Sequence, residues 1–135
     1  MTSFPDKLQV MKVFTNNLAT LSKCYERKVA AVITNSDLSQ VFSCGVNGGP
    51  KGLQDCMCKA DEKYGCMHAE LNALIKCTAN DTNKVMFITL SPCKICAAGI
   101  INAPGSFKTI YYFEEWKDNT GIKLLQAAGI YTVLL

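Results

Sequence analysis

The 135-residue sequence contains one histidine and one tryptophan, and it lacks any apolar run long enough to cross a bilayer. A membrane-spanning helix needs roughly 18 or more consecutive apolar residues. Residues 1–6 do not combine a positive charge with an apolar run, as a signal peptide would. These absences predict a cytoplasmic protein with no membrane partner.

Basic runs, internal repeats and low-complexity segments are missing as well. The net charge is +3, which is well short of the basic surface expected for a polynucleotide binder. The lysines are scattered and do not alternate with aromatic residues in a stacking surface. We therefore expect a small anionic ligand and no nucleic acid. An apolar content of 49% is typical of a globular protein and predicts one domain over residues 1–135.

Apolar periodicity divides the chain into alternating helices and strands. A first helix after Pro5 is predicted to bury a stripe formed by Leu8, Met11, Phe14, Leu18 and Leu21. Further helices are predicted over 67–77, 92–102 and 120–128, the last one ended by Gly129. Strands are predicted over 29–34, 40–44, 85–90, 109–113 and 130–134. The order α-β-β-α-β-α-β-α-β predicts an α/β protein in which crossover helices cover a sheet, and the first two strands form a hairpin.

The single histidine and a Pro-Cys-x-x-Cys segment supply a candidate metal site. His68, Cys93 and Cys96 are ligand types that Zn²⁺ prefers, and three protein ligands leave a fourth position for water, as in catalytic zinc sites. Ser91 is a natural helix N-cap and Pro92 is favoured at the first helical position. We therefore expect both cysteines in the first turn of a helix, whose positive end favours their thiolate forms.

Glu70, two residues after the histidine, is predicted to transfer protons rather than to bind the metal. Zinc lowers the pKa of a bound water toward about 7, which supplies a nucleophile for attack on carbon 4 of cytosine. Glu70 would take the water proton and deliver protons to ring nitrogen 3 and to the departing ammonia. An apolar pocket would raise the pKa of Glu70 to suit this task. The joint pattern H-x-E…P-C-x-x-C is the signature of zinc deaminases.

With these motifs in view, the sequence resembles the deoxycytidylate (dCMP) deaminase family, especially its short bacterial and viral members. The resemblance covers most of the chain and is carried by segments 27–33, 45–52, 66–73, 85–96, 110–112 and 128–130. The G-x-N-G-x-P-x-G loop at 45–52 separates this family from the tRNA deaminases. The resemblance implies a three-layer α/β/α cytidine deaminase-like sandwich with a five-stranded mixed sheet. It also implies a homo-hexamer and the conversion of dCMP to dUMP, the precursor for thymidylate synthesis.

The resemblance further implies which residues meet the substrate. His68, Cys93 and Cys96 match the zinc ligands, and Glu70 matches the proton shuttle. The implied substrate contacts come from Ala69 (backbone amide to the base carbonyl), Asn47 (side chain to the sugar), Arg27 and Lys28 (phosphate), Ser91 and Trp116.

Two of these interpretations carry alternatives. Lys28 suits a solvated surface charge as well as a phosphate contact. Trp116 and Val46 stand where the family often has tyrosine, and an indole can stack on a substrate but offers a different hydrogen bond.

The glycine-rich loop is implied to bind regulatory nucleotides. Many family members are activated by dCTP and inhibited by dTTP at this loop, between subunits. The predicted effector loop consists of Asn47, Gly48, Gly49, Lys51 and Gly52. Backbone amides of such a loop can hold a triphosphate, with Mg²⁺ accompanying it, whereas turn formation alone is the alternative for these glycines.

Six other cysteines lie outside the zinc motif, and their roles stay open. Cys56, Cys58 and Cys66 lie in a segment that carries a second zinc in some relatives. The remaining cysteines outside the zinc motif are expected to be buried apolar residues: Cys24, Cys44 and Cys77.

Three alternative functions stay open. They are a cytidine or deoxycytidine deaminase, a deaminase of tRNA or single-stranded DNA, and a zinc-stabilised binding module without turnover. A binding module would have no use for Glu70.

Overall fold

The computed structural model of the protein describes residues 6–24, 26–53 and 66–135. The helices are α1 (Lys7–Ala19), α2 (Ala69–Lys76), α3 (Lys94–Asn102) and α4 (Thr120–Ala127). The strands are β1 (Ala30–Thr34), β2 (Val41–Val46), β3 (Lys84–Leu90), β4 (Phe107–Glu114) and β5 (Tyr131–Leu134). The predicted order of elements is confirmed.

The five strands form one mixed sheet in the order β2-β1-β3-β4-β5. Strand β1 runs antiparallel to both β2 and β3, so the predicted hairpin is confirmed. Strands β3, β4 and β5 are parallel, with α3 and α4 as the connections between them. The carboxyl ends of β3 and β4 therefore open at the same edge of the sheet, where ligands of α/β proteins commonly bind.

Helices cover both faces of the sheet. Alternate residues of the strands point to opposite faces, so Ile33 and Ile88 pack with helices α2, α3 and α4, whereas Val32 and Phe87 pack with Met11 of α1. Each residue of β1 is buried, as expected for a short apolar strand in the middle of a sheet. The arrangement confirms the three-layer α/β/α sandwich.

The buried face of α1 differs from the predicted stripe. Phe14 is 38% exposed and Leu21 is 66% exposed. The buried residues of α1 are Met11, Thr15 and Ala19, which follow one another at a spacing of four. Thr15 is tolerated there because its hydroxyl donates a hydrogen bond to the carbonyl oxygen of Met11 at 2.7 Å. Leu21 lies beyond the end of the helix at Ala19, so helical periodicity no longer positions it.

The end of α4 matches its prediction. Gly129 follows the C-cap residue Ala128 with a φ of +83°, a conformation that favours glycine. None of the helices in the described ranges is long and apolar enough to cross a membrane.

Candidate active site

The start of α2 positions the histidine and the glutamate on the same site. His68 is the N-cap residue, with an extended backbone, and its side chain makes no capping hydrogen bond. Its Nδ1 atom instead lies 3.1 Å from Sγ of Cys96 and 3.5 Å from Sγ of Cys93. His68 precedes the first helical turn, and both His68 and Glu70 line the same cavity.

The start of α3 corrects the predicted cap. The helix begins at Lys94, and Cys93 is the N-cap residue, its Sγ accepting from the backbone N–H of Cys96 at 3.4 Å. Ser91 as N-cap and Pro92 as first helical residue were therefore wrong. Ser91 is instead tied to the segment after β4, since its Oγ accepts from the backbone N–H of Trp116 at 2.7 Å.

His68, Cys93 and Cys96 form a group whose ligand atoms all lie within 4.8 Å of one another. Zn–S distances near 2.3 Å and Zn–N distances near 2.0 Å separate the ligands of a tetrahedral site by roughly 3.5 Å. The measured separations between Nδ1 and the two sulfurs, 3.1 and 3.5 Å, are consistent with that geometry. Two sulfurs and one imidazole nitrogen suit zinc, so the residues present fit the predicted metal.

Hydrogen bonds among the three candidate ligands shift the pKa values of all three. A hydrogen bond from the Cys96 thiol, with a second from His68, lowers the pKa of Cys93 to about 3. The same bond raises the pKa of Cys96, and the bond to Cys93 raises the pKa of His68. The low pKa of Cys93 favours its thiolate, the form that binds a metal. Because a metal binds thiolate and neutral imidazole, metal binding would release any protons on these three groups.

Glu70 is a buried carboxyl group beside this cluster. Its side chain is 4% exposed, and burial raises its pKa from 4.5 to about 7. It does not belong to the group of three candidate ligands. A carboxyl group with a pKa near neutrality can both accept and donate a proton at physiological pH.

A cavity of about 140 Å³ opens onto the cluster. Val29 and Leu90 give it apolar walls, and sequence reasoning missed both because they read as ordinary strand residues. The remaining lining residues are Arg27, Asn47, His68, Ala69, Glu70, Ser91, Cys93 and Trp116. Lys28 is exposed and does not line this cavity. The roles assigned to the lining residues and to Lys28 stay predictions.

Ala69 and Asn47 present polar groups to the cavity. Ala69 is the first residue of α2, so its backbone N–H has no acceptor within the helix. The Asn47 side-chain oxygen accepts from the backbone N–H of Val29 at 2.9 Å and from the Ser22 hydroxyl at 2.6 Å. Its amide nitrogen donates to the carbonyl oxygen of Arg27 at 2.6 Å, which uses one of two N–H bonds. Asn47 therefore fixes the wall at 27–29, a task that the sequence did not reveal.

A second cavity, of about 530 Å³, lies over the glycine-rich loop. It contains the predicted effector residues Gly48, Gly49, Lys51 and Gly52, and Asn47 lines both cavities. Sequence reasoning missed two further cations that line it, Lys23 and Lys76, which come from distant parts of the chain.

The other cysteines are only partly described. Cys56 and Cys58, the core of the predicted second zinc site, lie outside the described residues. Cys24 is buried as expected, whereas Cys44 and Cys77 are half-buried.

Comparison with known proteins agrees with the site described above. Residues 6–114 match the family model described as the cytidine and deoxycytidylate deaminase zinc-binding region. Human deoxycytidylate deaminase is 33% identical over an aligned length of 126 residues, and the alignment covers 83% of this chain and 70% of the human protein. The dCMP deaminase of cyanophage S-TIM5, solved in complex with dCMP and dUMP, has a TM-score of 0.87 at 26% identity. The alignment covers 99% of this chain and 100% of the phage chain.

The family model covers both halves of the candidate metal centre, the His68 segment and the Cys93–Cys96 segment. A zinc-binding family and a donor set that fits zinc agree with each other, and the resemblance drawn from the sequence is confirmed. The chain belongs to the cytidine and deoxycytidylate deaminase family of hydrolytic enzymes.

Proposed function

We propose that this protein hydrolyses the amino group of dCMP, which gives dUMP and ammonia. One observation carries the proposal: one small cavity is lined by His68 and Cys93 of the candidate metal group, by the buried residue Glu70 and by Arg27. The relatives named as dCMP deaminases, and the phage enzyme with dCMP and dUMP bound, support this substrate.

Zinc held by His68, Cys93 and Cys96 would supply activation of water at neutral pH. Glu70 then takes a proton from the attacking water and passes it to ring nitrogen 3. It moves a second proton to the amino group, which leaves as ammonia while the carbonyl of uracil forms. Its raised pKa, caused by burial, lets one carboxyl group act as base and as acid in succession.

The other lining residues would orient the substrate. The free N–H of Ala69 can donate to the carbonyl of the base, and the second amide N–H of Asn47 can donate to a sugar hydroxyl. Val29 and Leu90 provide apolar contact for the ring and exclude water. Trp116, which is 36% exposed, stands at the mouth, where an indole can stack on a base or sugar.

Arg27 is proposed as the phosphate contact because it lines the cavity and its guanidinium can bind phosphate through two N–H bonds. An Arg27→Gln variant should lose at least tenfold in kcat/KM for dCMP while deoxycytidine turnover stays the same. The matched control is Lys28→Gln, which removes an adjacent charge that does not line the cavity and should change kcat/KM by less than twofold.

Ammonia release should be measured across cytidine, deoxycytidine, CMP, dCMP and dCTP. We expect dCMP to have the highest kcat/KM. Higher kcat/KM for cytidine or deoxycytidine would establish the nucleoside alternative instead. A mobility-shift assay with single-stranded DNA and tRNA at moderate salt tests the polynucleotide alternative, and we expect no shift.

The second cavity supports regulation by anionic nucleotides. Lys23, Lys51 and Lys76 surround backbone of the glycine-rich loop, which suits a triphosphate. We propose that dCTP activates and dTTP inhibits from this cavity, and Asn47 gives it a common wall with the active site. No carboxylate is among the described residues that line the cavity, so any Mg²⁺ would arrive with the triphosphate. Activity should be titrated with dCTP and dTTP in wild type and in Lys76→Gln.

We propose a homo-oligomer, with the hexamer as the expected size. Val10, Val13 and Phe14 expose apolar area along one helix, which is a feature of protein interfaces. Light scattering on the eluting protein gives the mass directly. A Val13→Glu variant should lower that mass if α1 lies at an interface.

A further inference from the structure

We infer that Glu114 sets how strongly the active site discriminates between substrates by the charge of their phosphate groups. The inference rests on the proposed function, because it assumes that Arg27 meets the phosphate. Glu114 has no place in the deamination chemistry itself, and it does not line the cavity.

The backbone of Glu114 is tied to a residue that lines the cavity. It is the last residue of β4, and its carbonyl oxygen accepts from the backbone N–H of Ser91 at 2.9 Å. Two residues later the backbone N–H of Trp116 donates to Ser91 Oγ at 2.7 Å. Ser91 is 4% exposed, and both Ser91 and Trp116 line the cavity. Two hydrogen bonds to one buried residue thus fix where the carboxylate of Glu114 emerges.

The carboxylate of Glu114 accepts a hydrogen bond from the guanidinium of Arg27. One Oε2 atom contacts one Nη2 atom, so part of the guanidinium fork remains for another anion. The backbone of Arg27 is held in turn by the Asn47 amide at 2.6 Å. Both ends of the pair are therefore fixed, while the side chains, 51% and 67% exposed, can still be reached from solvent.

A substrate phosphate that binds Arg27 must share it with this carboxylate and lie close to its negative charge. The free-energy cost of this repulsion is absent for a nucleoside, moderate for a monophosphate and greatest for a triphosphate, because repulsion scales with the charge of the ligand. An exposed ion pair changes an equilibrium by a factor of about two to five. Glu114 therefore weakens monophosphate binding slightly and disfavours the triphosphate more strongly at the catalytic cavity.

The test is Glu114→Gln, assayed with deoxycytidine, dCMP and dCTP at low ionic strength. We expect KM for dCMP to fall about two- to fivefold with kcat unchanged, since exposed pairs have effects of this size. KM for dCTP should fall by a larger factor, and kinetics with deoxycytidine should stay the same. The change should shrink at high salt, which screens exposed charges.

Two controls distinguish the effect of the Arg27–Glu114 ion pair from a general effect of net charge. Glu115→Gln removes the neighbouring exposed carboxylate, which makes no contact with Arg27 among the described residues, and should leave all three KM values unchanged. In an Arg27→Gln background, Glu114→Gln should have no further effect on KM for dCMP.

An unchanged or higher KM for dCMP in active Glu114→Gln would overturn the inference and leave the proposed function intact. An equal fall in Glu115→Gln would also overturn it, because net charge would then explain the effect. A wild-type enzyme that deaminates deoxycytidine but not dCMP would overturn the proposed function, and the inference with it.

Discussion

The buried carboxyl of Glu70 should make the stability of the zinc-free protein depend on pH. The perturbation is Glu70→Gln, which keeps the shape of the side chain and removes its titration. A rise in pKa from 4.5 to about 7 is equivalent to about 3 kcal/mol of folding free energy. The shift arises chiefly from burial, which penalises the charged form, so the folded protein favours the protonated carboxyl.

The sign of the effect follows from that preference. The contribution of Glu70 to stability is complete below pH 4.5 and is lost as the pH rises through about 7. Zinc-free wild type should therefore lose about 2–3 kcal/mol relative to Glu70→Gln between pH 5 and pH 8. His68 and the two cysteines titrate in both proteins, so the difference between them reports Glu70 together with its coupling to His68 and Cys96.

The assay is urea unfolding at both pH values, in chelator and reductant, with Glu115→Gln as an exposed-carboxylate control. The control should follow wild type at both pH values, because Glu115 is exposed at the surface. A difference between wild type and Glu70→Gln that stays constant from pH 5 to pH 8 would refute the reasoning. Such a result would mean that the carboxyl is ionised in the fold throughout this range.

Two further substitutions test how the site is held. A Cβ atom at Gly121 would lie 2.0 Å from the carbonyl oxygen of Pro92, next to the proposed zinc ligand Cys93. Gly121→Ala should destabilise the protein by about 1–3 kcal/mol or more and weaken zinc binding in a chelator competition. In the control Gly99→Ala, the added Cβ atom would have its nearest contact at 3.4 Å. This variant should stabilise the protein by roughly 0.5–1 kcal/mol. Equal stabilities for the two variants would contradict the packing argument. Ser91→Ala removes the acceptor for Trp116 N–H and should cost about 1 kcal/mol while raising KM for dCMP; an unchanged KM would show that this bond does not position Trp116.

Much of the fold was predictable because apolar periodicity is a local property. The short β-branched run at 29–34 and the helical spacing around 120–128 each specify an element without reference to the rest of the chain. The metal donors were predictable for a similar reason, since His68, Cys93 and Cys96 are chemically distinctive. Their convergence needed only that two helices start at one edge of the sheet.

The rest depended on partners distant in sequence. Ser91 has a side chain suited to capping a helix. Its hydroxyl oxygen instead accepts a hydrogen bond from the backbone N–H of Trp116, 25 residues away. Asn47 holds the segment 27–29 beside the cavity through hydrogen bonds that no local sequence pattern predicts. Thr15 lies on the buried face of α1 where the stripe predicted Phe14, because the helix satisfies its hydroxyl locally.

The most direct test of the central claim measures zinc content and ammonia release from dCMP in wild type, Glu70→Gln and His68→Ala. We expect wild type to bind one zinc in the cluster and to release ammonia. Glu70→Gln should keep that zinc and lose turnover by several orders of magnitude, whereas His68→Ala should lose the zinc. Full activity in Glu70→Gln, or activity in His68→Ala without bound metal, would contradict deamination by a zinc site with Glu70 as its proton shuttle.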